Sequence, residues 1–333
     1  MRRVWIAPLL AAVAVLPFLG CGSKATSTAW AGHTVGPKVA VSFAPLYCFA
    51  VNVVGDKGTV KSVLSTRGPH DAEIGTDERT MLESADLIFL NGQGLDDKIA
   101  DALKAGGRGL GAVVNLTKPP RFKEAWLRHG DDDDEPMPKD GKKPAQPGHE
   151  GHNHGDHDPH VWLSPTLAVE LVKTMQAELR LKHPEFAADY DRNAAAYIAK
   201  LEQLKKDGKA ALKGKTEKKF ATMHESLGYF ADEFDLEIAG FLHKSPGVEP
   251  KADELKALVD KCVAKKARVV AVEPQYSAAG AKTLVETMGR AGIADAALVE
   301  IDPIETATVA ELTADLYEAK MRANFDALKK VLK

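Results

Sequence analysis

Short apolar runs alternate along most of this chain with longer stretches in which apolar residues recur every three or four positions. The runs at residues 39–43, 60–64, 85–90 and 112–116 have the length and apolar density of buried strands. Between them, helical spacing runs through Leu46, Phe49, Ala50, Val53 and Val54, then through residues 76–84, with Thr76 or Asp77 as the expected cap, then through residues 95–103. Strand, helix, strand, helix in that order predicts a parallel sheet, because parallel neighbours need a crossover and a helix supplies one. The second half repeats the plan, with strands at 220–223, 237–241, 268–272 and 297–301 and helices at 227–234, 252–265 and 279–291. A last helix carries Leu312, Leu316, Met321, Phe325, Leu328 and Val331 on one face. The expected fold class is α/β, two lobes with mainly parallel sheets.

Two helices lie between the halves. Ser164 reads as an N-cap with Pro165 at the first helical position, and Leu167, Leu171, Met175 and Leu179 follow at helical spacing as far as His183-Pro184. Pro184 opens a longer helix in which Phe186, Tyr190, Ala194, Tyr197, Leu201 and Leu204 share one face while Lys, Asp and Glu fill the other. Carried to Gly214, it would be ~45 Å long at about 1.5 Å per residue. That is enough to pass from one lobe to the other.

Residues 118–158 show no periodicity. An acidic run at 131–135 gives way to a Pro- and Lys-rich stretch at 136–147, and then five of the eleven histidines fall between His149 and His160. Such a composition cannot form a packed core, but it offers many neutral imidazoles to a cation of borderline softness. His149, His152, His154 and His157 are therefore expected to be weak auxiliary metal sites, the blander alternative being a solvated tether. His160 differs from them, because it runs directly into the apolar Val161-Trp162-Leu163 and a helix start and is expected to be held in place.

Arg2 and Arg3 precede an apolar run from Val4 to Leu19 that falls short of the ~20 residues needed to span a bilayer, so residues 1–20 are expected to be an export signal. Cys21, directly after Gly20, makes the junction resemble a bacterial lipobox, with this cysteine lipidated and the chain anchored outside the cytoplasmic membrane. Cys48 and Cys262 are too few for a disulfide framework and read as two buried thiols. A formal net charge of -3, with both signs interspersed, gives no basic field for a nucleic acid backbone and excludes that partner.

His70, His224 and Asp302 each follow the carboxyl end of an expected strand, where open α/β sheets bind ligands. Taken singly, each is an ordinary loop or turn residue. Taken with His160 across two facing lobes, they make a site of three imidazoles and one carboxylate, which suits zinc better than the harder manganese or magnesium. His33, His129 and His183 are assigned to surface or local packing, and His243 lies in a loop near enough to the expected cleft to stay open.

The motifs Gly68-Pro69-His70-Asp71-Ala72-Glu73, Ala85-Asp86-Leu87-Ile88-Phe89-Leu90-Asn91-Gly92, Asp158-Pro159-His160-Val161-Trp162-Leu163, His224-Glu225-Ser226-Leu227-Gly228-Tyr229-Phe230, Val272-Glu273-Pro274-Gln275-Tyr276 and Ile301-Asp302-Pro303 carry a resemblance. From Val39 onward the chain resembles the zinc and manganese solute-binding proteins of bacterial ABC importers, the cluster A-I type. The resemblance implies two α/β lobes joined by one long rigid helix, with metal in the cleft between them and no enzymatic activity. It maps the ligands onto His70, His160, His224 and Asp302. Histidine at position 224 and a His-rich loop ahead of the Asp-Pro-His motif look like the zinc branch, which implies a periplasmic or cell-surface protein that passes zinc to an ABC permease. A manganese carrier is the nearest alternative, and a zinc-dependent hydrolase or a surface adhesin are alternatives of other classes. Glu225 departs from the family's usual neutral residue or Asp, which raises the question of whether it competes for the metal. The expected organisation is a tether at 21–38, an N-terminal lobe at 39–184 with a His-rich loop at 129–159, a linking helix at 185–214 and a C-terminal lobe at 215–333.

Overall fold

The computed structural model describes residues 28–106, 113–120, 122–128, 157–243 and 250–333. Its first half runs β1 (Lys38–Val41), α1 (Ala44–Val54), β2 (Thr59–Ser62), α2 (Thr76–Ser84), β3 (Leu87–Leu90), α3 (Asp97–Ala105) and β4 (Val113–Asn115). These strands form one parallel sheet in the order β2-β1-β3-β4. β3 is buried at all four of its residues, as expected of a strand covered by helices on both faces. Thr76 proves to be the first helical residue of α2 and Gly75 its cap, so neither Thr76 nor Asp77 caps; Asp77 and Glu78 lie instead in the first turn, where they favour the positive end of the helix dipole.

α4 (Pro165–Lys182) and α5 (Ala187–Ala211) connect the halves. Ser164 caps α4 by accepting from the Leu167 N–H. α5 is shorter than expected, about 37 Å, because Pro184–Phe186 form a separate 3-10 turn and the chain leaves the helix at Leu212. It packs on α1 and α4 and also on α9 (Leu316–Val331), so one helix serves both lobes. Gly208 on α5 makes the last contact feasible, since a Cβ there would stand 2.5 Å from Phe325 Cζ and 2.6 Å from Phe234 Cε1.

The second half adds β5 (Lys219–Thr222), α6 (Gly228–Glu233), β6 (Glu237–Phe241), α7 (Ala252–Lys265), β7 (Val269–Val272), α8 (Ala279–Arg290), β8 (Ala297–Glu300) and then α9. Its sheet is again parallel, in the order β6-β5-β7-β8. Strand alternation divides its packing: Phe220, Val269 and Ala271 join the core continuous with the first lobe, whereas Ala221 and Val270 face a smaller core with Leu258, Leu284 and Met288. Leu312 lies before α9 rather than in it, half-buried against the core continuous with the first lobe. Cys48 and Cys262 are free, buried and in different cores.

Backbone and side-chain bonds tie the lobes together beside the cleft. Trp162 Nε1–H donates to Pro303 O at 2.8 Å, Tyr317 Oη–H to Trp162 O at 2.6 Å, and Ala307 N–H to Ser65 O at 2.9 Å. Each lobe has its strand carboxyl ends at this cleft.

Candidate metal centre

Four polar side chains that the chain brings from separate turns converge in the cleft. His70 lies in the 3-10 turn Pro69–Asp71 after β2, and His160 immediately precedes the 3-10 turn Val161–Leu163 that feeds α4. His224 follows β5 and precedes the turn Glu225–Leu227. Glu305 follows β8 after Ile304, whose φ of 63° is a left-handed conformation that a β-branched residue adopts only under constraint. This turn redirects the chain after Pro303.

His70 Nε2 and His160 Nε2 are 3.2 Å apart, and each stands 3.3 Å from Glu305 Oε1, with His224 Nε2 at 3.7 Å from the same oxygen. All four donor atoms lie within 4.8 Å of one another and all four residues are buried. Burying an ionised carboxylate without a counter-charge costs several kcal/mol, so Glu305 requires either protonated imidazoles or a metal cation beside it. His224 Nε2 and Glu305 Oε1 have no hydrogen-bond partner among the described residues, and a cation would satisfy both.

Carboxylates orient two of the rings from behind. Asp158 Oδ1 is 2.7 Å from His160 Nδ1 and also accepts from the His160 backbone N–H at 2.9 Å. With Nδ1 protonated for that bond, Nε2 is the nitrogen that faces the cluster, and it offers its lone pair to a metal once its own proton has left. Asp158 is itself placed by Tyr229, whose Oη–H donates to Asp158 O, while Asn91 Nδ2–H donates to Pro159 O. Asn91 is set by the turn at Gly92, where φ is 95° and a Cβ would meet Asn115 Oδ1 at 2.1 Å. Glu273 Oε1 stands 2.9 Å from His224 Nδ1, an ion-pair distance although off line for a hydrogen bond, and accepts from Ser226 Oγ–H at 3.2 Å. Asp158→Asn and Glu273→Gln should each weaken metal binding about 10–100-fold, measured by competition with a chelator, because each ring loses the negative charge that stands behind its Nδ1.

Burial opposes charge on His160, yet Asp158 and Glu305 outweigh it and lift this imidazole to about 9. Burial likewise opposes, and Glu273 and Glu305 outweigh, at His224, which rises to about 10. His70 goes the other way, lowered by burial despite Glu305. Burial would raise Glu305, but His70, His160 and His224 together hold it well below the usual carboxylate range.

One expected ligand is corrected. Asp302 turns away toward α9, where Oδ2 pairs with Lys320 Nζ at 2.9 Å and Oδ1 accepts from the Ile304 N–H at 2.7 Å. Asn324 holds its backbone from both sides, accepting from Asp302 N–H and donating to Asp302 O. Glu305, three residues later, takes the place in the cluster. Glu225 is not among the converging groups, which answers the question its position raised. His243 is buried beside the end of β5, its N–H donating to Met223 O, and its ring is not one of the four. His33 lies 3.1 Å from Thr59 Oγ1 and His183 3.3 Å from Glu185 Oε1, both local contacts. His157 is described and half-buried, outside the cluster; Cys21, His129, His149, His152 and His154 lie outside the described residues.

Two parallel-sheet lobes sharing a long helix, with three imidazoles and a carboxylate buried between them, define a two-lobed α/β binding protein. The chain belongs to the family described as "Zinc-uptake complex component A periplasmic", which it matches over residues 39–331. It is similar to the high-affinity zinc uptake system protein ZnuA of Bacillus subtilis (strain 168), 30% identical over 333 residues that cover 99% of this chain and 98% of that protein. It is also similar to zinc-binding protein AdcA of Streptococcus pyogenes serotype M6, 33% identical over 298 residues, 88% of this chain and 55% of that protein. The chain thus spans about half the length of the AdcA relatives it matches. Among solved structures, the metal-dependent lipoprotein YcdH from Bacillus subtilis superimposes with a TM-score of 0.67 at 29% identity, covering 89% of this chain and 99% of that one.

Proposed function

We propose that this chain captures Zn2+ outside the cytoplasmic membrane, through His70, His160, His224 and Glu305, and delivers it to an ABC permease. The observation that carries the reading is the convergence of four buried donor atoms within 4.8 Å. Three nitrogens and one oxygen are a set of borderline softness that suits Zn2+, whereas Mn2+ favours sites richer in oxygen. Four protein donors also leave no position for the bound water that a hydrolytic zinc requires, which argues for carriage over turnover. The names of the relatives, zinc uptake and zinc binding, support the same cargo.

The mature chain is held at the membrane by lipid on Cys21, a reading supported by the lipoprotein designation of the similar YcdH. His149, His152, His154 and His157 supply weak sites that gather zinc near the cleft. Deleting residues 148–156 should lower the number of zinc ions bound per chain and leave the tight site intact; loss of the tight site in a chelator competition would contradict this division of labour. The cargo itself is tested by equilibrating the purified mature chain with equal Zn2+ and Mn2+, dialysing, and measuring retained metal by elemental analysis. Retained zinc is expected, and retention of manganese or of no metal would overturn the proposal.

A further inference from the structure

The Val272-Glu273-Pro274-Gln275-Tyr276 segment holds a group that the metal centre as described does not use. Gln275, half-buried in the turn after β7, points its amide nitrogen at two carboxylates, donating to Glu273 Oε2 at 3.0 Å and to Glu305 Oε2 at 3.5 Å. Both acceptors are carboxylate oxygens, so the amide can face them only with its N–H groups, and its two hydrogens serve one each. Gly68 also stands beside Glu305 Oε2, its position for a Cβ lying 3.4 Å from that oxygen. Oε1 is the oxygen that faces the three imidazoles, at 3.3, 3.3 and 3.7 Å from their Nε2 atoms.

We propose that Gln275 is a positioning residue that sets the coordination number of the site: by holding Glu305 Oε2 it restricts the carboxylate to one donor oxygen and so disfavours cations that require more than four ligands. A carboxylate free to pivot can bind through both oxygens and raise a site from four donors to five. Zn2+ accepts the tetrahedral set, whereas Mn2+ favours six donors and gains from each added oxygen. Gln275 therefore acts on selectivity, through Glu305, rather than on capture as such. Glu273 couples the device to His224, because the same carboxylate that fixes the amide also faces that ring.

This inference rests on the zinc-binding reading above, and the test separates the two. Co2+ serves as the probe of geometry, since four-coordinate Co2+ absorbs visible light much more strongly than five- or six-coordinate Co2+, and Zn2+ and Mn2+ affinities are compared by competition. Wild type is expected to give the strong four-coordinate spectrum. Gln275→Leu, which removes the donor, is expected to weaken the bands and to lower the ratio of Zn2+ to Mn2+ affinity about tenfold, at the low end for loss of a group that orients a ligand. Gln275→Glu keeps the size, lacks the donor and repels Glu305, and is expected to shift both readouts the same way. A merely structural role would weaken Zn2+, Mn2+ and Co2+ alike and leave the spectrum unchanged, and that result in either folded variant would overturn the inference alone. A wild-type protein that takes up neither Zn2+ nor Co2+ would overturn the reading of the site and the inference with it.

Discussion

Zinc affinity should fall about 10⁴-fold between pH 8.5 and pH 6.5, because the free site holds two protons that the metal must displace. His160 and His224, lifted by their carboxylates to about 9 and about 10, are both protonated through the neutral range, while His70 stays neutral and Glu305 stays ionised. The sign follows: each proton that has to leave makes the apparent affinity rise tenfold per pH unit, so two make about 100-fold per unit. The dependence should persist up to about pH 9, well above the ordinary imidazole range near 6.5. Exchanging two protons for one Zn2+ leaves the net charge of the buried site unchanged, so metal entry adds no uncompensated charge to a low-dielectric interior. Calorimetry in buffers of different ionisation enthalpy should report release of about two protons per zinc at neutral pH. Affinity that does not vary with pH, or release of no proton, would show that the carboxylate pairs do not work as described.

Replacing Glu305 by Gln should weaken zinc binding by on the order of a hundredfold, whereas replacing Asp302 by Asn should leave it nearly unchanged. A structural zinc site is worth about 10–16 kcal/mol in all, so one ligand of four contributes roughly 3 kcal/mol, which is about a hundredfold in Kd. Glutamine keeps the size and the contact with Gln275 but removes the charge that balances three imidazoles. Asparagine at 302 retains the oxygen that accepts from the Ile304 N–H and loses only the pair with Lys320, a partly exposed interaction worth about 1 kcal/mol or less. Chelator competition on both variants decides between the two acids. A large loss in the Asp302 variant with none in the Glu305 variant would return the ligand role to position 302.

That contrast also marks what was legible beforehand. The alternation of short apolar runs with helical stretches was enough to predict both parallel sheets and the long helix, because strand and helix periods differ so plainly over residues such as 85–90 and 187–204. As members of the converging cluster, His70, His160 and His224 were legible because each follows a strand or precedes a helix in a recognisable motif. Glu305 was not, because its direction depends on the left-handed turn at Ile304, and isoleucine gives no local signal for such a turn. Asp302 is the first acid after β8 and so the nearer candidate by position, but the chain turns two residues later and carries Glu305 into the cluster instead. Asp158 and Glu273 lie inside the 158–163 and 272–276 motifs, but periodicity says nothing of which ring nitrogen a carboxylate will face. The cap of α2 failed for a smaller reason, one residue's difference in where the helix begins.

The most direct test of the central claim is a crystal structure of the zinc-loaded protein with anomalous scattering collected at the zinc edge. One strong peak is expected about 2.0–2.1 Å from the Nε2 atoms of His70, His160 and His224 and about 2.0–2.2 Å from Glu305 Oε1. Anomalous density confined to the His149–His157 stretch, with none in the cleft, would contradict the account.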